Sequence, residues 1–124
     1  PTHPLVEADR FPVERLRQEP FIEFLPGQET DNSRMLQQLQ IRPKVRFATS
    51  DSRAAIAMVR AGLGITLLND ILTADLADGV AVLPLDPPQS VHLGIALPEE
   101  EHVSPAAKRF ITYALDRLPE LDVL

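Results

Sequence analysis

The sequence contains no cysteine among its 124 residues. Disulfide bonds, thiolate metal ligands and thiol redox sensing are therefore excluded for these residues. Long apolar runs are also absent: "AAIAMV" at 54–59 is among the longest, whereas a helix that spans a bilayer needs about 20 apolar residues. The chain opens on "PTHPL", with neither Met nor a basic stretch before an apolar core. We expect a fragment of a longer cytoplasmic protein, without signal peptide or membrane segment.

Basic residues are scarce. The chain has 12 Lys and Arg residues and 18 Asp and Glu residues, which gives a net charge of −6. Duplex binding depends on Lys and Arg that neutralise phosphates, so these residues are not expected to bind nucleic acid. Length and a hydrophobic content of 44% fit one soluble domain with a modest core.

The order of apolar patterns alternates strands and helices. Predicted strands are 21–25, 45–49, 65–68, 80–85 and 91–98, and predicted helices are 12–17, 31–40, 50–62, 69–79 and 104–118. Thr30 or Asp31, Ser50 or Asp51, and Ser104 are the expected N-caps. Strands and helices that alternate over short loops predict parallel strands with right-handed crossovers, an α/β sandwich. The loops at the carboxyl ends of such strands form the ligand crevice.

The stretch "VRAGLGITLL" carries a Gly-x-Gly. A dinucleotide fingerprint needs a strand before the glycines, a third glycine and a helix after them. Here a helix precedes the glycines, a strand follows, and the third glycine is absent. We interpret Gly62 and Gly64 as a helix end with positive-φ positions and close packing.

No constellation of residues predicts catalysis. His3, His92 and His102 lie far apart in the sequence, so we expect no metal site and no cofactor. Carboxylates such as Glu29 with Asp31 suit acid–base chemistry, but no nucleophile accompanies them and no G-x-S-x-G elbow occurs. The sequence predicts a protein that is not an enzyme; a small α/β enzyme that uses Glu29, Asp31 and Asp51 is an alternative.

Two polar helix starts, "GQETDN" and "TSDS", are expected on the crevice side. Free N–H groups at helix starts suit a small anion or carboxylate, although capping explains these residues equally well. Glu29, Asp31 and Asp51 oppose an anion unless Arg34 or Arg53 balances them.

Two helices present more apolar surface than one small domain needs. Helix 53–61 is apolar around nearly its whole circumference, which predicts an interface with a partner chain or burial under the chain's own loops. Helix 104–118 carries an apolar stripe at helical spacing. The stripe consists of Ala107, Phe110, Ile111, Ala114, Leu115 and Leu118.

One ordered series of segments resembles a known family. "RPKVRFATSDSRAAIAMVRAGLGITLL", then "VLPLDPP", "LGIAL" and "SPAAKRFITYAL", is similar to the C-terminal effector-binding domain of LysR-type transcriptional regulators. "PTHPL" and "PFIEFLPGQETD" also fit, so the resemblance covers nearly all of residues 1–124.

The resemblance implies a fold and a function. It implies a three-layer α/β sandwich of the periplasmic-binding-protein type II kind, with a mainly parallel sheet. Residues 5–90 would form the second regulatory subdomain, and residues 91–124 a crossing strand and the last helix. A small polar or carboxylate inducer would bind between two subdomains, and DNA would be bound by a winged helix-turn-helix outside these residues. In the family the stripe of helix 104–118 packs on the first subdomain, which residues 1–124 largely lack. The resemblance therefore implies that this stripe folds back on the remaining sheet or meets another chain, and we predict a dimer in solution. A fragment of a periplasmic-type solute-binding protein is the alternative.

Site residues follow from the same resemblance, position by position. The effector-binding residues would be Pro26, Gly27, Gln28, Glu29, Thr30, Thr49, Ser50 and Asp51. The helix that pairs with a second chain would contribute Arg53, Ile56, Ala57 and Arg60. Two departures matter: Asn69 stands where most members have Pro, and the cysteine of peroxide-sensing members is absent from "PGQETD". A reversibly bound small molecule is therefore favoured.

Overall fold

The computed structural model describes residues 3–73, 78–91, 94–98 and 103–117. The chain divides into two compact units, Pro1–Ser90 and Val91–Leu124. Unit 1 contains β1 (Phe11–Pro12), a 3₁₀ helix (Val13–Arg17), β2 (Pro20–Phe24), α1 (Asp31–Gln38), β3 (Lys44–Thr49), α2 (Ser52–Arg60), α3 (Asp70–Thr73) and β4 (Leu85–Asp86). Unit 2 contains α4 (Pro105–Arg117).

Strand pairing in unit 1 is parallel, as the alternation of elements predicted. β2 pairs with β3, from Pro20 opposite Lys44 to Phe24 opposite Thr49, with a register shift after Phe21. A single parallel bridge joins Phe21 to Ile65. β1 pairs with β4 in a separate two-stranded sheet. The unit is therefore an α/β structure with parallel sheets.

Three predicted strands are shorter than expected or are not formed. Of 65–68, Ile65 alone bridges β2, and of 80–85, Leu85 alone lies in a strand. Of 91–98, residues 91 and 94–98 form no strand and are exposed, while 92 and 93 lie outside the described residues. An apolar run becomes a strand only beside a neighbour that pairs with its backbone. Of the predicted helix 69–79, Asp70–Thr73 is helical and 74–77 lie outside the description.

The predicted helix caps are confirmed at three starts. Thr30 caps α1 in a reciprocal capping box with Ser33. The Asp51 carboxylate caps α2 by accepting two backbone N–H groups. At α4 the Ser104 hydroxyl accepts the N–H of Ala107 at 3.2 Å. In each case a short polar side chain satisfies N–H groups that the helix cannot pair.

Helices α1 and α2 end in the same backbone motif. After α2, Gly62 N–H donates to Val59 and Leu63 N–H to Met58, the Schellman pattern. Gly62 has φ +76°, and after α1 the equivalent position is Gln40 at φ +55°. The interpretation of Gly-x-Gly as a helix end is thus confirmed at Gly62.

Gly64 serves close packing. A Cβ at this position would collide with the Pro20 carbonyl of β2. Ile65 N–H donates to the same carbonyl at 2.9 Å, and Ile22 N–H donates to Ile65 O at 2.8 Å. Gly64 therefore lets the chain after α2 approach β2 closely enough to pair.

The core of unit 1 lies around the 3₁₀ helix and β2. Its buried cluster consists of Phe11, Val13, Leu16, Phe21 and Ile41. Ile22 on β2, and Ala55 and Ile56 on α2, are also buried. β3 differs: Val45 and Phe47 are 47% and 42% exposed.

The stripe on α4 is not buried within the chain. Over Pro105–Arg117 no residue is buried, and Phe110 and Leu115 are 66% and 57% exposed. Ala107, Ile111 and Ala114 are half-buried, and Leu118 lies outside the described residues. The stripe is therefore not buried over the described part of α4, and its burial against a second chain stays a prediction.

Candidate functional site

Three chain segments meet at the carboxyl ends of the parallel strands in unit 1. β2 leads into 25–30, β3 leads into 49–51, and the extended chain that bridges β2 at Ile65 leads into 67–69. We call these three segments the loop cluster. The Leu25 N–H donates to Thr49 O at 2.9 Å and joins the first two. The first two segments are therefore joined through their backbones.

The first segment begins with a tight turn. Gln28 N–H donates to Leu25 O at 3.2 Å across Pro26 and Gly27, and Gly27 has φ +75°. Proline followed by a positive-φ glycine at the two central positions is the signature of a type II turn. Leu25 has φ +56°, a rare conformation for a large side chain. Pro26 and Gly27 thus shape the backbone that carries Gln28.

The acidic residues of this segment are engaged by one arginine. Arg34 Nε donates to Glu29 Oε1 at 2.9 Å, and Arg34 Nη1 lies 3.8 Å from Asp31 Oδ1. The hydrogen bond and charge of Glu29 raise the pKa of Arg34. All three side chains are exposed, so solvent screening weakens the pairs. Arg34 does not stand as an isolated cation for an anionic ligand.

The second segment is closed by its own carboxylate. Asp51 N–H donates to Thr49 Oγ1 at 3.1 Å, and Asp51 Oδ1 accepts the N–H groups of Arg53 and Ala54 at 2.8 and 3.1 Å. The carboxylate thus stands where a helix start would hold an anion. Ser50 is exposed beside it. At α2 the structure favours capping over an anion site.

Asn32, in the first turn of α1 just after the first segment, bonds to the third segment, and the sequence analysis does not single it out. Its Nδ2 donates to Leu67 O at 3.0 Å, across 35 residues of chain. Asn32 occupies the second position of α1, where a side chain that caps nothing is free to reach a neighbour. The only feature of the sequence that could have indicated this bond is the Asn residue at the second position of the helix. The bond fixes the start of α1 against the chain that enters Asn69.

Asn69 itself opens α3. It is half-buried, and its carbonyl accepts the Leu72 N–H at 2.9 Å. Asn is therefore compatible with the helical turn that begins at Asp70.

The residues predicted for the dimer interface do not share one face of α2. Arg53 and Ala57 are exposed, whereas Ile56 is 5% exposed and packs inside unit 1. Arg60 is exposed, and its Nε donates to the Asp78 carbonyl at 3.0 Å. The outer face of α2 therefore presents Arg53, Ala57 and Arg60.

Within residues 3–73, 78–91, 94–98 and 103–117, no group of three or more His, Cys, Asp or Glu residues could hold a metal ion. His92 and His102 lie outside these ranges, so the placement of the histidine set is not described. No helix among the described residues is long and apolar enough to cross a membrane.

In open α/β sheets ligands bind outside the carboxyl ends of the strands, and the loop cluster lies at that position in unit 1. The model of the LysR substrate binding domain matches residues 1–119. The chain therefore belongs to the LysR substrate-binding domain family, effector-binding domains of transcription regulators with a periplasmic-binding-protein-like fold. This family is not enzymatic, and the match does not favour the solute-binding-protein alternative. No curated protein matches the chain.

Proposed function

We propose that this chain senses a small molecule for a bacterial LysR-type regulator and binds it at the loop cluster. Two observations support the proposal: the family match and the joining of the three segments. The backbone bond between Leu25 and Thr49 and the bond from Asn32 to Leu67 hold one polar edge in place. Gln28, Thr30, Thr49 and Ser50 offer hydroxyl and amide groups at that edge, and Pro26 and Gly27 set its shape.

The effector that fits this edge is polar and carries a hydroxyl or amine group. Asp51 fills the start of α2, and Arg34 is shared between Glu29 and Asp31. A carboxylate effector would therefore meet three carboxylates and a cation that is already paired. A hydroxyl or amine can donate to Glu29, Asp31 or Asp51 without displacing a cap.

Assembly and DNA binding complete the proposed role. The outer face of α2, with Arg53, Ala57 and Arg60, would meet a second chain, supported by Ile56 beneath it. DNA would be bound by a winged helix-turn-helix outside these residues, in the cytoplasm. Residues 5–90 would form the second regulatory subdomain of a three-layer sandwich. Effector binding would shift the populations of two arrangements rather than drive a reaction.

Thermal unfolding in the presence of matched ligands tests the proposal. Panels of polyols, amines and carboxylates of similar size are added to the 124-residue chain and to the longer protein that carries it. A molecule that binds the folded state raises its melting temperature, and saturation at about 100 times Kd adds about 2.7 kcal/mol. We expect the stabilising compounds to be hydroxyl- or amine-bearing.

Gln28→Ala and Gln37→Ala form the matched pair for this screen. Gln28 lies in the loop cluster, whereas Gln37 is an exposed glutamine near the far end of α1. Loss of one effector hydrogen bond weakens binding by about tenfold. We expect that loss in Gln28→Ala alone. Equal effects of both variants would contradict the proposed site. Stabilisation by carboxylates only would contradict the proposed chemistry of the effector.

A further inference from the structure

Unit 1 contains a cavity of about 400 Å³ that the loop cluster does not account for. Its lining comes from the chain around Leu5, the end of α2 at Val59 and the segment at Leu83. Leu67 borders it, but none of the residues 25–30 or 49–51 does. The volume of the cavity falls within the range of pockets that bind small molecules, about 300–1,000 Å³.

Most of the residues that line this cavity are apolar. Leu5, Val59, Ile65, Val80 and Leu83 are half-buried there, so each keeps part of its surface uncovered by the chain itself. An aliphatic ligand body that covers these side chains gains free energy because apolar surface leaves water on both sides. The lining therefore favours a ligand whose main part is aliphatic.

Glu19, one of the charged side chains in the lining, already has a partner of opposite charge. Its Oε1 accepts from Arg15 Nη2 at 2.7 Å, although Arg15 itself does not line the cavity, and its Oε2 lies 3.3 Å from His3 Nε2. Burial raises the pKa of Glu19, but Arg15 and His3 outweigh that effect and the pKa is lowered. Glu19 is therefore ionised at neutral pH, with its counter-ion in place.

Arg60, the arginine of the lining, has no such partner. Its Nε donates to the Asp78 carbonyl oxygen at 3.0 Å, and its Nη2 donates to the same oxygen. A carbonyl satisfies these N–H groups but carries no net charge. Among the described residues no carboxylate forms an ion pair with Arg60. The lining therefore holds one uncompensated positive charge.

The guanidinium of Arg60 is held where the cavity meets solvent. Arg60 lines the cavity and is also exposed. Its side chain lies against the backbone at 78–79, because a Cβ on Gly79 would lie 3.1 Å from its Nε. Val80, the next residue, lines the cavity. A cation held in one position loses little freedom on binding an anion, and at the opening the anion keeps part of its hydration.

We propose that this cavity binds a small amphipathic anion, with its aliphatic body among the apolar side chains and its carboxylate at the Arg60 guanidinium. A charged N–H donor and a carboxylate form a stronger hydrogen bond than two neutral groups do. The site stands apart from the loop cluster and does not rest on the proposed function. It gives unit 1 a second ligand site, of opposite head-group chemistry.

Hexanoate, hexanol and hexylamine are the probes, since they share one alkyl chain and differ in their head group. Each is titrated into the chain at neutral pH, and methyl resonances are followed by NMR. We expect saturable shifts at the methyl groups of Val59, Val80 and Leu83. Hexanoate is expected to bind most tightly, although hexanol is the more hydrophobic. Added NaCl should reduce that preference, because salt screens an ion pair near the surface.

Arg60→Gln and Arg53→Gln form the matched pair for the head group. Arg53 is exposed on the same outer face of α2 and does not line the cavity, so an effect of altered contact between chains would appear in both variants. We expect about fivefold weaker hexanoate binding in Arg60→Gln alone, with hexanol binding unchanged. Gln28→Ala, in the loop cluster, should leave hexanoate binding unchanged.

Val80→Phe and Val82→Phe form the matched pair for the ligand body. Val80 lines the cavity, whereas Val82 is 52% exposed and does not. We expect about tenfold weaker binding of hexanoate and hexanol in Val80→Phe alone. If Val80→Phe does not fold, Val59→Phe fills the cavity from α2.

Several results would overturn the proposal. They are an absence of shifts at the three methyl groups, hexanol or hexylamine binding as tight as hexanoate, and a preference for hexanoate that salt leaves unchanged. Equal loss of hexanoate binding in the two glutamine variants, or in the two phenylalanine variants, would also overturn it.

Discussion

Helices α2 and α4 have similar apolar patterns but differ in how much of each helix is buried. α2 contacts β2 and β3 and buries Ala55 and Ile56. α4 is the longer helix, yet no residue over Pro105–Arg117 is buried. Both begin at a capped residue, so local sequence accounts for the presence of each helix.

The difference between them shows what an amphipathic pattern predicts. The 3.6-residue period decides which side chains share a face. Burial of that face requires a second surface, and α2 has one because two parallel strands lie beside it. Over Pro105–Arg117 the corresponding face of α4 is not buried. Three pairs of variants test this contrast, and a fourth pair compares the ends of α1 and α2.

The largest expected change is in molecular mass. We expect the chain to form a dimer, because exposed rings such as Phe110 gain free energy when they leave water. Phe110→Ser is expected to shift the dimer towards monomers, and Thr112→Ser on the same helix is the control. Light scattering measures the mass. A wild-type chain that stays monomeric at high concentration would contradict the prediction.

The second variant compares stability in the two helices. Ile56→Ala removes a side chain that is 5% exposed and leaves a cavity, so the free energy of unfolding should fall by about 3 kcal/mol. Ile111→Ala on α4 should cost less than about 1 kcal/mol at a concentration where the chain is monomeric. Urea denaturation measures both. Equal losses would mean that α4 is buried as deeply as α2.

The third variant compares the helix caps. Asp51→Ala leaves two N–H groups of α2 without their acceptor and should cost about 1 kcal/mol. Ser104→Ala should lower helicity near residue 105 with less effect on global stability, because α4 is not packed into the core. Hydrogen exchange locates each effect. A global loss in Ser104→Ala that matches Asp51→Ala would contradict the contrast.

The smallest expected effect is at the helix ends. Gln40 adopts the same left-handed conformation after α1 that Gly62 adopts after α2. Gln40→Gly should raise stability by about 0.5 kcal/mol, and Gly62→Ala should lower it by about 1 kcal/mol. Thermal unfolding measures both changes. A destabilised Gln40→Gly would show that the Gln40 side chain makes a contribution larger than the backbone cost.

Local chemistry made much of unit 1 predictable. Thr30, Asp51 and Ser104 were recognised as caps because a short polar side chain before an apolar period has one structural use. Gly62 was recognised as a helix end for the same kind of reason. The parallel pairing of β2 with β3 followed from the helix between them.

Other features depend on contacts that a single segment does not encode. Residues 80–85 read as a strand, but Leu85 alone pairs in one, because pairing needs a neighbour. The positive φ of Leu25 carries no signal in its residue type. The bond from Asn32 to Leu67 likewise joins residues that are 35 positions apart in the sequence.

The edge of β3 has a consequence for how copies of this chain meet. β3 pairs with β2 on one side, and among the described residues no strand covers the other. Along that rim Lys44 and Arg46 are exposed, so two such rims brought together would repel each other. An unpaired strand edge without such charges can form hydrogen bonds with a strand of another chain and so promote aggregation. The two cations therefore disfavour pairing of this edge with the same edge of a second copy.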